Sequence, residues 1–201
     1  MKISRTLAAG LIALMTALPA AAEKLSLPTI SQYLNGMKTA TGEFTQINDD
    51  GTISTGQIYI KRPGRVRFEY NPPDRTLVVS DGVHVGIADA KSNQKAEAYP
   101  LRRTPLSIIL ARNVDLGRAR MVVGHTSDGK TTTVTAQDPE HPEYGSIELV
   151  FTGAPVELRQ WVINDNAGSR TTVVLGELTK GGRFKDEIFA LPKGAVIRQD
   201  K

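Results

Sequence analysis

Lys61-Arg62-Pro63-Gly64-Arg65-Val66-Arg67-Phe68-Glu69-Tyr70 carries the pattern that decides the fold. A Pro-Gly turn is followed by strict alternation, with Val66, Phe68 and Tyr70 on one side and Arg65, Arg67 and Glu69 on the other. Side chains of an extended chain point to opposite faces in turn, so this is a strand with one apolar face. Ile58 and Ile60 repeat the pattern just upstream. Val83, Val85 and Ile87 repeat it downstream, as do Ile147, Leu149 and Phe151.

Working outward, strands are expected near Gly42–Asn48, Ser54–Lys61, Arg65–Asn71, Thr76–Ser80, Val83–Ala88 and Asn93–Tyr99. A second set is expected near Arg120–Gly124, Thr131–Gln137, Ser146–Thr152, Glu157–Asn164, Ser169–Leu178 and Phe184–Phe189. Turn residues such as Asp49-Asp50-Gly51, Asn71-Pro72-Pro73-Asp74 and Lys180-Gly181-Gly182 separate them. About 11 short strands imply a mainly β fold, a strongly curved antiparallel sheet or barrel. Aromatic residues make up 5% of the chain, so the apolar face is expected to be mainly Val, Ile and Leu. Periodicity leaves open whether that face closes on itself or leaves room for a ligand.

Two segments read as helical. Leu25–Lys38 is amphipathic, with Ile30, Tyr33, Leu34 and Met37 on one side and Pro28 near its first turn. Thr104–Arg112 begins with Thr104 as a candidate N-cap and Pro105, then runs through Leu106, Ile108, Ile109 and Leu110. A short helix apolar on most sides has to be buried, and the mouth of the curved sheet is the natural place. It is either an ordinary packing helix or a movable lid.

The N-terminus has a basic start at Lys2 and Arg5, an apolar run Leu7–Leu18 and a small-residue end Pro19-Ala20-Ala21-Ala22. This is the pattern of a secretory signal peptide, residues 1–22, cleaved near Ala22, and it leaves 23–201 as a single expected domain. Of the formal charge of +4, two units belong to Lys2 and Arg5. The remaining basic residues are dispersed, which argues against nucleic-acid binding. There is no cysteine, so neither disulfides nor a lipid-modified cysteine are available, and Glu23 follows the cleavage point.

Catalytic and metal motifs are scarce. Gly124-His125-Thr126-Ser127-Asp128-Gly129-Lys130-Thr131 satisfies the phosphate-loop expression, yet the β-branched run Thr131–Thr135 follows where a helix is required. His84, His125 and His141 lack metal-site spacing, and His125 and His141 are expected at the surface. No nucleophile elbow is present. No catalytic residue, metal or cofactor is therefore expected, and nothing in these residues favours an enzyme.

Five pieces in order add a resemblance. Gly42-Glu43-Phe44-Thr45-Gln46, Lys61–Tyr70, Asn71-Pro72-Pro73 with Val78–Gly82, Thr104-Pro105-Leu106 with Ile108–Asn113, and Phe189–Val196 are similar to motifs of the LolA family of periplasmic outer-membrane lipoprotein carriers. The resemblance implies an incomplete antiparallel β-barrel with an N-terminal helix and a short apolar lid helix over its open mouth. It implies a soluble periplasmic chaperone, without cofactor, that shields acyl chains in an apolar cavity. Ile58, Ile60, Val66, Phe68, Tyr70, Val83, Val85, Ile87, Leu149 and Phe151 are the cavity candidates, and Leu106, Ile108, Ile109 and Leu110 form the lid. Arg62 is assigned a lid-gating role. The implied partners are triacylated lipoproteins as cargo, an inner-membrane ATP-driven release complex and an outer-membrane acceptor, with the carrier a monomer. A carrier or sensor of other periplasmic lipids on the same fold is the alternative.

Overall fold

The computed structural model describes residues 23–118 and 120–198. The signal-peptide segment 1–22 lies outside the described residues. Helix α1 spans Leu27–Gly36, begun by Ser26, whose side chain accepts from the Thr29 amide, and by Pro28 in the first turn. Its Ile30 and Leu34, with Met37 just beyond, are buried.

Thirteen strands then form one sheet. The first meander runs β1 Thr39–Ile47, β2 Ile53–Lys61, β3 Arg65–Tyr70, β4 Thr76–Asp81, β5 His84–Asp89 and β6 Glu97–Pro100. A 3-10 turn, Leu101–Arg103, leads into helix α2, Leu106–Leu110. The second meander is β7 Val122–Ser127, β8 Thr131–Gln137, β9 Ser146–Thr152, β10 Glu157–Asn164 and β11 Arg170–Leu175. The short strands β12 Thr179–Lys180 and β13 Val196–Ile197 follow.

The spatial order is β13-β6-β5-β4-β3-β2-β1-β11-β10-β9-β8-β7, with β12 also on β1. Two antiparallel meanders are thus joined where β11 returns to β1, pairing Phe44 with Leu175. The sheet is open, since β13 and β7 at its ends do not pair. Directly opposed residues share a face, so Ile60, Val66, Ser80 and Val85 form one inward row and Ile58, Phe68 and Val78 the next. On the second meander Val134, Leu149, Trp161 and Val173 continue the same face. Helices α1 and α2 cover it.

The expected strand Phe184–Phe189 is corrected by the structure. It is an extended approach followed by a 3-10 turn, Asp186–Phe189. This segment docks on the opposite face of the first meander through side chains instead of joining the ladder. The Phe184 ring meets Tyr59 edge-on at 5.7 Å, and Phe189, Val79 and Ala98 are buried. Lys61 Nζ donates to Phe184 O and Asp186 Oδ1, and Arg67 donates to Ile188 O. The C-terminal chain then returns to the sheet as β13, parallel to β6.

Candidate functional site

The inward face and the two helices form one continuous apolar cluster. Of the cavity candidates, Ile58, Ile60, Val66, Phe68, Val85, Leu149 and Phe151 lie in it, and Tyr70 packs against it half-buried. Two candidates do not belong. Val83 is 64% exposed because it sits in the turn before β5, its amide bound to Asp81 Oδ1. Ile87 points inward by register, opposite Val78, but is 44% exposed where the helical cover leaves the sheet bare.

Helix α2 contributes four of the buried side chains, Leu106, Ile108, Ile109 and Leu110, so the interior is filled by the chain itself. Burying each such side chain is worth roughly 1.5–3 kcal/mol, about 6–12 kcal/mol for the four. Thr104 does not cap the helix. Its hydroxyl donates back to Leu101 O, and Pro105 occupies the N-cap position.

Polar bonds hold the other end of α2. Arg62, at the end of β2, is 7% exposed. Its Nη2 donates to Ala111 O at 2.5 Å and approaches Asn35 Oδ1 at 3.4 Å. Next to it, the Gly64 amide donates to Leu110 O at 2.8 Å. Gly64 has φ +77°, and a Cβ there would stand 2.7 Å from Gly82 Cα. This position therefore requires glycine to bring the β2–β3 turn under the helix. The Arg62 Nε and Nη1 atoms are buried without partners, and burial pushes its pKa down from the usual arginine value.

Two residues missed in the sequence complete this attachment. Asn35 of α1 donates through Nδ2 to Val114 O at 2.8 Å, and its Oδ1 accepts from the Val114 amide at 2.9 Å. Ser31 accepts from the Leu116 amide. Helix α1 thereby pins the chain that follows α2. Both residues looked like the polar face of an amphipathic helix, and no local signal distinguishes them from solvated ones.

The interior is mainly Val, Ile and Leu, as the composition implied, with Phe44, Phe68, Phe151 and Trp161 set among them. Phe44 meets Phe68 and Tyr70 at 5.3 and 5.0 Å, and Phe68 meets Trp161 at 6.1 Å, all edge-on. Four of the chain's eleven aromatic residues meet in this cluster. The Tyr70 hydroxyl donates to Gln46 Oε1, and its pKa is pushed up to about 12, chiefly by burial.

Elsewhere, Gly124–Thr131 is the strand-turn-strand of β7 and β8, as its β-branched run implied. His125, expected at the surface, is part-buried, with Nε2 2.9 Å from Leu25 O, and so ties β7 to the approach of α1. His141 is in the exposed loop, stacked on Tyr144 and paired with Glu143. Among the described residues no group of three metal-ligating side chains comes together, and no helix is long and apolar enough to cross a membrane.

The result is an open, mainly antiparallel sheet whose apolar face is shut by two helices, one of them a plug held at its end by an arginine. Residues 35–192 match the family model described as outer membrane lipoprotein carrier protein LolA, and the chain belongs to that family. It is 25% identical to an outer-membrane lipoprotein carrier protein of Pseudomonas fluorescens over 92% of this chain and 94% of the relative. It is 28% identical to one from Cupriavidus pinatubonensis, over 90% and 89%. A solved LolA superfamily protein from Nitrosomonas europaea aligns over 83% of this chain and 98% of its own, at 9% identity and a TM-score of 0.44.

Proposed function

We propose that this protein is a soluble periplasmic chaperone that carries lipoproteins, holding their acyl chains against the inward face after α2 swings away. The observation that carries the reading is the plug itself. Four buried aliphatic residues fill an apolar interior, yet the polar bonds at the plug's far end run from Arg62 and Gly64. Displacing the plug would open the apolar cluster that it shares with Ile58, Ile60, Val66, Phe68 and Leu149.

The magnitudes make such an exchange workable. An acyl chain of about 15 methylenes resists water by roughly 12 kcal/mol at about 0.8 kcal/mol per methylene. The plug's own burial is worth about 6–12 kcal/mol. A single chain of the cargo entering would therefore already offset the plug leaving. Arg62 is the gate in this scheme, because its bond to Ala111 exists only with the lid shut.

The mature protein is residues 23–201, one domain and a monomer, receiving triacylated lipoproteins from an inner-membrane ATP-driven release complex and yielding them to an outer-membrane acceptor. It binds and carries; no residue is assigned to catalysis. Mass spectrometry of extracts from protein purified out of the periplasm tests this. Triacylated lipoprotein is expected with the wild type, and more with Arg62→Leu, whose closed state lacks the Ala111 bond. Phospholipid or free fatty acid alone would instead make it a general lipid carrier. Empty protein in both samples, with no uptake of an apolar dye, would refute the acyl-binding interior.

A further inference from the structure

Trp161 is the only tryptophan of the chain and is 1% exposed on the inward face of β10, opposite Leu149 and Val173. Its indole Nε1 is buried with no hydrogen-bond partner, alone among neutral side-chain donors of the described residues. Buried tryptophan N–H groups ordinarily find an acceptor, so an orphan calls for an explanation.

Polar groups elsewhere in the fold sharpen the contrast. The Tyr70 hydroxyl donates to Gln46, the Tyr33 hydroxyl accepts from the Leu158 amide, and the Ser80 hydroxyl donates to Gly64 O. Each of these interior polar groups is satisfied by the chain itself. Trp161 instead stands edge-on to Phe68, with planes at 88°. An aromatic ring is only a weak acceptor for an N–H.

We infer that the Trp161 indole N–H is a ligand-binding donor that receives the ester or amide carbonyl of an acyl group inside the apolar interior. The inference rests on the proposed acyl-binding reading and deepens it, since it names the chemical feature by which the site tells an acyl derivative from plain hydrocarbon. An ester-linked acyl chain offers one strong acceptor, its carbonyl, and no donor. An indole offers one donor and no acceptor. The two are complementary, and Trp161, edge-on to Phe68, belongs to the same apolar cluster as the four side chains of α2. A carbonyl arriving there meets a donor that has no internal bond to surrender.

The test uses the purified mature protein with 15N-labelled tryptophan, so that one indole resonance reports the site. Methyl laurate and tetradecane, each delivered from cyclodextrin, are titrated into wild type and Trp161→Phe. A hydrogen bond to the ester moves the indole proton downfield, whereas the alkane leaves it without that shift. Wild type should also favour the ester over the alkane by about five-fold more than Trp161→Phe does. The same indole response to both probes overturns the inference but leaves the acyl-binding reading standing, as does a preference unchanged by the substitution. Binding of neither probe, to wild type or to Arg62→Leu, overturns both. The wild-type resonance decides the matter even if Trp161→Phe fails to fold.

Discussion

Replacing Asn35 with alanine should loosen the lid without dismantling the sheet. The Asn35 amide satisfies both the N–H and the C=O of Val114, a residue that is itself buried. Removing it leaves two buried backbone groups without partners, each costing roughly 1–3 kcal/mol. Water reaches them once the segment lifts, so the expected local loss is about 3 kcal/mol. That corresponds to roughly a hundred-fold rise in the open population of the lid. The structure supplies a reporter outside the mutated contact, because the Gly64 amide is protected by Leu110 O at the end of α2. Native-state hydrogen exchange should show the Gly64 amide exchanging about a hundred-fold faster in Asn35→Ala. Amides in the pairing of β2 with β3 should keep their rates. An unchanged Gly64 rate would refute the attachment, and a uniform acceleration across the sheet would show that Asn35 supports the whole fold instead.

Two further outcomes are expected. Gly64→Ala forces a side chain into positive φ and against Gly82 Cα, so urea unfolding should show a loss of about 2–3 kcal/mol. The second outcome concerns alkaline pH. Because the folded-state pKa of Tyr70 is raised to about 12 from 10.0, the protonated phenol is favoured in the fold. Its contribution is complete below pH 10 and is lost as the pH rises from 10 towards 12. Stability curves of wild type should therefore fall more steeply than those of Tyr70→Phe across that window. Parallel curves would show that the phenol is not selectively held neutral by the fold.

Alternation located both ends of three strands of the second meander. Thr131–Gln137, Ser146–Thr152 and Glu157–Asn164 begin and end in the structure where the pattern places them. It misled at Phe184–Phe189, because a segment that docks through its side chains presents apolar residues much as a strand does. It also misled at Val83 and Ile87. At Val83 the turn before β5 interrupts the strand, and at Ile87 the period assigns an inward face that the covering helices do not reach.

The sequence by itself therefore determined the elements: the amphipathic helix, the run of half-apolar strands, the apolar plug and the family to which the motifs belong. These are local properties, readable from spacing along the chain. Only the tertiary structure brought Arg62 to the carbonyl of Ala111, Asn35 to both polar groups of Val114 and Phe44 into the ring cluster around Phe68. It alone left the Trp161 indole buried and unsatisfied. Such partners lie far apart in the chain, as with Arg62 and Ala111, which are 49 positions apart. Whether a polar group meets an acceptor, water or nothing depends on how distant surfaces pack.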